Sequence, residues 1–128
     1  MATRVTHGIK ISVVSEYQDL YSRPEQQQYY FSYHIRIENT SDYTVQLMRR
    51  HWYIFDAAGT GQEVEGEGVV GQQPVLKPGD VYEYESACNL NSEIGSMHGT
   101  YLFVREADGG KFEVQIPRFE LITTFRLN

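Results

Sequence analysis

Residues 28–39 read QYYFSYHIRIEN, and this stretch decides the fold class. Its odd-numbered positions are aromatic or aliphatic from Tyr29 to Ile37, whereas its even-numbered positions are polar or charged from Ser32 to Glu38. Because successive side chains of a β-strand point to opposite faces, this period of two gathers the apolar side chains on one face. The stretch therefore predicts a long, half-buried strand over residues 28–38.

The same alternation recurs along the chain, with turn-forming residues between the alternating segments. These segments cover residues 9–13, 44–56, 82–86, 97–103 and 112–121. No stretch of helical length repeats its apolar residues at the 3.6-residue helical period. The sequence therefore predicts one all-β domain over residues 1–128, an antiparallel β-sandwich of immunoglobulin or fibronectin type III type with about seven or eight strands.

The segment 44–56 is less regular than the others. Val45 and Leu47 have one parity, whereas Trp52 and Ile54 have the other. Apolar side chains at both parities are typical of a strand with both faces partly covered. We therefore expect a central strand here, lying adjacent to the strand over 28–38.

Composition and charge limit the class of partner. The chain has 128 residues, ten tyrosines, a single cysteine (Cys88) and a formal net charge of −6. Binding to nucleic acid or to an anionic membrane needs clustered Lys and Arg, so neither partner is expected. No apolar stretch has the length of a signal peptide or a membrane span, and one cysteine forms no intrachain disulfide. A cytoplasmic location is expected.

The glycine-rich segment 66–80, GEGVVGQQPVLKPGD, raises the question of nucleotide binding. Three of its glycines satisfy G-x-G-x-x-G, the spacing of a dinucleotide loop: Gly66, Gly68 and Gly71. Such a loop needs a helix after its third glycine, and Pro74 and Pro78 interrupt any helix here. We therefore expect a rigid loop that binds no phosphate, in which Val69 and Val70 offer an apolar contact.

Arg50 and Trp52 are candidate binding residues, because residues two apart on a strand share a face. A guanidinium there can lie over the indole, and both residue types are enriched in interface hot spots. The structural alternative, a cation–π pair that covers one end of the core, is equally open. With the glycine segment, the predicted binding surface contains Arg50, Trp52, Gly66, Gly68, Val69, Val70, Gly71, Gln73 and Pro74.

Residues of catalytic or metal-binding type show no organised spacing. The four histidines have neither H-x₃-H nor H-E-x-x-H spacing. Glu63, Glu65 and Glu67 would share one face of an extended segment, where a solvated face is more common than a cation site. Cys88 has no neighbouring cation, and Ser86 has no G-x-S-x-G turn. The sequence predicts no catalytic residue, no metal site and no cofactor.

Several motifs in order along the chain carry a family resemblance. They are Arg50-x-Trp52, Gly66-x-Gly68-Val69-Val70-Gly71-x-Gln73-Pro74, Leu76-x-Pro78-Gly79, Tyr84-x-Ser86, Gly95-x-Met97-x-Gly99-x-Tyr101 and Phe112-x-Val114-x-Ile116-Pro117-x-Phe119-x-Leu121. Together they resemble the bacterial ApaG family over essentially the whole chain. The resemblance implies a fibronectin type III-like sandwich with no established enzymatic activity and a label linked to cobalt and magnesium efflux or resistance. Similar domains in eukaryotic F-box proteins and in a polymerase-delta-interacting protein look like interaction modules.

Two function classes stay open at this point. The first is a non-catalytic interaction module that presents the 66–74 loop or an exposed sheet edge to a protein partner. The second is a binder of a small anion or nucleotide diphosphate, in which amides of residues 66–71 form a nest and Arg49 or Arg50 supplies charge. A weak homo-oligomer is a further expectation.

Overall fold

A computed structural model describes residues 1–59 and 61–127. These residues form two antiparallel sheets with the strand orders β1-β2-β3-β7 and β5-β4-β8-β9, and the short β6 pairs with β4. The strands are β1 (Ala2–Thr6), β2 (Ile9–Tyr17), β3 (Tyr29–Asn39), β4 (Val45–Asp56), β5 (Gln62–Glu67), β6 (Val75–Leu76), β7 (Val81–Leu90), β8 (Ile94–Arg105) and β9 (Lys111–Ile122). The prediction of an all-β antiparallel sandwich is confirmed.

Helical structure in the described ranges is limited to short 3₁₀ turns. They lie at Asp19–Tyr21, Pro24–Gln26 and Thr124–Leu127. In this part of the chain, no helix has the length and apolar character needed to cross a membrane.

Strand β3 matches its predicted span and buries its odd-numbered face. The prediction that it lies adjacent to the strand over 44–56 is wrong, because β3 pairs with β2 and β7 and β4 belongs to the other sheet. The two strands instead face each other across the core. The ring centroids of Tyr33 on β3 and Trp52 on β4 are 5.5 Å apart.

A β-bulge in β4 explains the mixed parity of that segment. The register with β8 shifts between Leu47 and Arg49, which leaves Met48 as the extra residue. An extra residue reverses the alternation of side chains, so Leu47 and Trp52 are both buried although their parities differ. The prediction of a central strand with both faces partly covered is confirmed. Strand β4 lies between β5 and β8, and on its outer face His51 is half-buried while Tyr53 is 39% exposed.

The sandwich is closed along one side and open along the other. On the closed side, β9 packs against β1 and β2, and the Ser15 hydroxyl donates a hydrogen bond of 2.9 Å to the carbonyl oxygen of Glu120. On the other side, β5 and β7 are the last strands of their sheets. The open side is where the candidate site lies.

Candidate functional site

An open cleft of about 590 Å³ lies between β5 and β7, and we call it the edge cleft. Gln62 and Val64 line it from β5, Tyr84 lines it from β7, and Trp52 and Met97 line it from the interior of the sandwich. This volume falls in the range of small-ligand pockets, roughly 300 to 1,000 Å³. Of the described residues that line the edge cleft, Arg50 alone is charged.

Tyrosine side chains gather at the edge cleft: Tyr33 and Tyr84 line it together with Arg50, and the buried Tyr101 contacts Tyr84 from the core. The hydroxyls of Tyr84 and Tyr101 share a hydrogen bond, and Ser86 on β7 is the cross-strand neighbour of Tyr33 on β3. Burial raises the pKa of all three phenols above the ordinary value, and the Arg50 charge opposes part of that rise in each. The phenols therefore stay protonated at neutral pH and lie within the field of one guanidinium.

The tyrosine cluster was missed by the sequence interpretation. Tyr33, Tyr84 and Tyr101 lie on three different strands, and Tyr33 and Tyr101 appear in the sequence as ordinary core aromatics. Only the Tyr84-x-Ser86 motif gives a signal, because it places two hydroxyls on one face of a strand.

The segment 66–74, which we call the glycine loop, holds Arg50 in place. The Arg50 Nη1 group donates to the carbonyl oxygens of Glu67 at 2.9 Å and of Gly68 at 3.0 Å. Gly66 is the cross-strand neighbour of Arg50, and a Cβ on Gly66 would come within 3.1 Å of the guanidinium nitrogens. The first glycine of the motif therefore makes room for the arginine side chain.

Arg50 and Trp52 both line the edge cleft, so the prediction that they share a face holds. The structural alternative, a cation–π pair between them, does not form in the described part of the chain. Over residues 1–59 and 61–127, the guanidinium that lies over an aromatic ring is that of Arg105, 5.3 Å from the ring centroid of Tyr43. Trp52 is 3% exposed and belongs to the core.

A tight turn at Val70 and Gly71 forms the tip of the glycine loop. The Val69 N–H donates to the Gln72 carbonyl oxygen at 2.8 Å, and the Gln72 N–H donates back to the Val69 carbonyl oxygen at 2.9 Å. The φ angles of Val70 and Gly71 are 46° and 76°. Two successive positive φ angles are the pattern of a type I′ turn, which favours Asn-Gly. Valine at such a position is a conformational outlier, because its side chain is β-branched.

The two valines of the loop have different environments. Val70 is 62% exposed at the mouth of the edge cleft, whereas Val69 is 1% exposed and packs in the core. The expectation that both valines offer a surface contact is therefore wrong for Val69. Its backbone pairs with Gln72 across the turn, and this pairing places the Val69 side chain on the inner face.

The returning half of the loop is tied to the bulge of β4. The carbonyl oxygen of Met48 accepts from the Gly68 N–H at 2.9 Å and from the Gln73 side-chain amide at 3.0 Å. The carbonyl oxygen of Pro74 accepts from the Leu47 N–H at 3.0 Å. Gln73 and Pro74, both predicted binding residues, therefore anchor the loop.

Two amides of the predicted nest over residues 66–71, those of Gly68 and Val69, already donate to backbone carbonyls within the chain, and so does the neighbouring amide of Gln72. Gly68 also has a φ of 65°, and a Cβ there would lie 2.3 Å from the Gln72 carbonyl oxygen. Positive φ at Gly68 and Gly71, together with the space that Gly66 leaves for Arg50, thus accounts for the three glycines.

Gly71→Ala is expected to lower the free energy of unfolding by about 1 kcal/mol, because an L-residue is strained at positive φ. A Cβ on Gly71 meets no atom within 4 Å, so the cost comes from the backbone alone. Gly61→Ala is the matched control: its Cβ would meet the Ile54 carbonyl oxygen at an ordinary 3.7 Å. Urea denaturation measures both. Equal effects of the two changes would contradict the turn assignment.

The outer face of β4 and β5 gathers one histidine and two glutamates. His51 Nε2 lies 3.0 Å from a carboxylate oxygen of Glu63, in an ion-pair contact that is not an aligned hydrogen bond, and His51 Nδ1 lies 4.0 Å from Glu65. One ligand atom from each residue falls within 4.8 Å of the others. Arg49 lies 4.0 Å from both Glu65 and Glu67, so cross-strand ion pairs account for this exposed face. The absence of a metal site stays a prediction.

Cys88 lines the edge cleft but is not primed for nucleophilic chemistry. Burial, together with the nearby Asp56 carboxylate, raises the pKa of the Cys88 thiol to about 11. The reactive form of cysteine is the thiolate, which is scarce at neutral pH under these conditions.

Proteins of several bacteria are similar to this chain over nearly its whole length. It is 48% identical over 121 residues to Protein ApaG of Brucella canis, covering 94% of this chain and 92% of that protein, and the same values hold for Protein ApaG of Rhodospirillum centenum. The sequence model of the ApaG domain matches residues 19–105. A Bordetella pertussis crystal structure, described as that of an ApaA protein, gives a TM-score of 0.87 at 47% identity and covers 91% of this chain and 94% of its own.

Proposed function

The chain belongs to the ApaG domain family, and we propose that it is a non-catalytic interaction module that binds a protein partner at the edge cleft. The observation that carries this proposal is the exposed and strained conformation of Val70. Its β-branched side chain is 62% exposed at the mouth of the cleft and sits at a φ of 46°. Strained residues of this kind are retained mostly where a site uses them, and an exposed apolar tip suits contact with another protein.

The two strands that border the edge cleft, β5 and β7, also suit an extended partner segment. Strands β5 and β7 end their sheets in the described part of the chain, so each has one side of its backbone without a neighbouring strand. A partner segment can add to such an edge through main-chain hydrogen bonds and direct alternate side chains into the cleft. Protonated phenols and a protonated thiol in the cleft favour binding over catalysis. The single free cysteine agrees with action in the reducing cytoplasm.

The second function class, a small anion or nucleotide held by the amides of the glycine loop, has less support. The amides at residues 68, 69 and 72 donate within the chain, which leaves them unable to form a nest. Under the proposed function, the cobalt and magnesium efflux of the family label would depend on the partner and not on an ion held in the cleft.

Val70→Asn is expected to stabilise the fold while weakening the partner complex. Asparagine is accommodated at the first position of a type I′ turn, so the free energy of unfolding should rise by up to about 1 kcal/mol. The change also removes the apolar tip, so partner capture should fall at least tenfold. Thermal melts measure the first effect. Quantitative affinity capture, followed by calorimetry on the recovered partner, measures the second.

Val5→Asn is the matched control for that variant. Val5 is 57% exposed on β1, away from the edge cleft, so its replacement should leave capture unchanged. Undiminished capture by Val70→Asn, or an equal loss with Val5→Asn, would remove the edge cleft as the binding surface.

A further inference from the structure

We propose that the edge cleft recognises one side-chain carboxylate, presented by an extended and otherwise uncharged segment of the partner, and that Arg50 is its counter-ion. This inference rests on the proposed function, because it names the chemistry of the partner that the cleft accepts. It comes from the charges and hydroxyl groups that line the cleft.

Arg50 is a half-buried cation without a carboxylate neighbour among the described residues. The arginines that form ion pairs there are Arg36, Arg49, Arg105 and Arg118. The hydrogen bonds of Arg50 run from Nη1 to two neutral carbonyls, which leaves its Nη2 group able to donate to a ligand. The chain has a net charge of −6, yet the half-buried Arg50 guanidinium has no carboxylate of this chain beside it among the described residues. A carboxylate of a bound ligand would supply that counter-ion.

Hydroxyl groups complete the recognition of an anion. Tyr33, Tyr84 and Ser86 line the same cleft, and the Arg50 charge acts on the first two of them. Hydroxyl donors beside a guanidinium give charge-assisted hydrogen bonds to a carboxylate, which are roughly twice as strong as neutral ones. Val64, Val70 and Trp52 provide the apolar wall for the rest of the segment.

The single charge of the cleft favours a carboxylate over a phosphate. A phosphate ester carries about −1.5 to −2 at neutral pH, which one arginine does not balance. One arginine balances one carboxylate, and Arg50 is the single charge among the described residues that line the cleft, so a segment with one acid among neutral residues fits best. The unpaired edges of β5 and β7 favour an extended segment that runs through the cleft. Such a segment presents a side-chain carboxylate and not a terminal one.

The test uses the full chain labelled with ¹⁵N and the peptide acetyl-Thr-Val-Glu-Val-Thr-amide. Titration is expected to shift the amide signals of Val70 and Ser86 and the Nε signal of Arg50. The glutamine version of the peptide should bind at least tenfold more weakly. A third peptide, with glutamine in the middle and a free terminal carboxylate, should bind as weakly as the glutamine peptide, and so should phenyl phosphate.

Two variants separate the contributions of the cleft residues. Arg50→Gln should bring the ratio of glutamate to glutamine affinity close to one. Because that change also removes two loop contacts, Tyr84→Phe serves as the second variant: it keeps Arg50 and the loop and should reduce the ratio several-fold. An unchanged ratio in a folded Tyr84→Phe protein, together with an unchanged ratio in Arg50→Gln, would overturn the inference.

The remaining outcomes distinguish this inference from the proposed function. Equal affinity for the glutamate and glutamine peptides would overturn the carboxylate inference, while capture that still depends on Val70 would leave the interaction module standing. Tighter binding of the free terminal carboxylate or of phenyl phosphate would also overturn it, in favour of a different anion source. Absence of binding by all probes at millimolar concentration counts against it as well.

Discussion

Val69→Glu is expected to unfold the domain, whereas Val70→Glu, one residue further along, should leave it folded. Val69 is 1% exposed within the core, so a glutamate there would bury a carboxylate without a partner. Such a charge costs several kcal/mol, which is comparable with the whole stability of a small domain. Val70 is 62% exposed, so a glutamate there keeps its charge in water. Glutamate replaces one L-residue by another at the same positive φ and adds no backbone strain, so stability should change by no more than about 0.5 kcal/mol.

Circular dichroism and thermal melts of the two variants measure this contrast. Val69→Ala is the control, because it removes packing without adding charge and should fold with reduced stability. If Val69→Glu melted like the unmodified chain, the inward placement of Val69 would be wrong and both valines would lie at the surface. The pair also tests binding, since Val70→Glu should lose the partner in a folded protein.

Trp52→Ala is expected to lower the free energy of unfolding by about 3 to 5 kcal/mol, the range for removal of a large buried aromatic side chain. The indole lies between three rings of the core, with centroid distances of 5.5 Å to Tyr33, 6.0 Å to Phe119 and 6.4 Å to Tyr101. These rings are held by other contacts in a close-packed core, so they cannot move far enough to fill the space that the indole leaves.

Urea denaturation of Trp52→Ala and Trp52→Phe provides the measurement. The phenylalanine variant keeps an aromatic ring in the same place and should lose markedly less stability. A loss below about 1 kcal/mol for the alanine variant, combined with loss of partner binding, would mean that Trp52 acts as a surface contact. Stability measurements on Trp52 therefore separate the two interpretations of the Arg50-x-Trp52 motif. A core residue gives a large loss of stability, and a binding residue gives a small one.

Strand β3 shows what an undisturbed period of two can predict. Its observed span, Tyr29–Asn39, differs by one residue at each end from the predicted 28–38. Every second residue of β3 is buried, because a flat pairing with β2 and β7 leaves the alternation intact along the whole strand. Period alone does not specify the neighbour of a strand, and so the pairing of β3 with β4 was predicted wrongly.

Strand β4 shows what the same reasoning does not detect, because its mixed parity comes from a bulge. The extra residue, Met48, shifts the alternation in the middle of the strand, and a sequence carries no mark that separates a bulge from burial on both faces. Val69 and Val70 present a similar limit. They are identical side chains at neighbouring positions, and only the turn in which they lie, with Val69 paired to Gln72 and Val70 at positive φ, distinguishes the buried one from the exposed one.

Most of the contacts between side chains of the edge cleft could not be predicted from the sequence, because they join strands that are distant in the chain. The sequence placed Arg50 and Trp52 on one face, and both do line the cleft. The contact between Tyr84 on β7 and Tyr101 on β8 joins two different sheets, which no local spacing can indicate. The grouping of His51 with Glu63 and Glu65 likewise follows from the register of β4 and β5.

The closed side of the sandwich has a consequence for synthesis on the ribosome. Strands β1 and β2 pack against β9, and the amide of Gln115 on β9 donates at 3.2 Å to the hydroxyl of Thr6 on β1. Strands β1 and β2 leave the ribosome well before β9, and their side of the core stays uncovered until β9 follows. Contacts so distant in sequence form slowly, and an uncovered sheet is open to aggregation. Nascent chains that stall before residue 111 should therefore depend on chaperones.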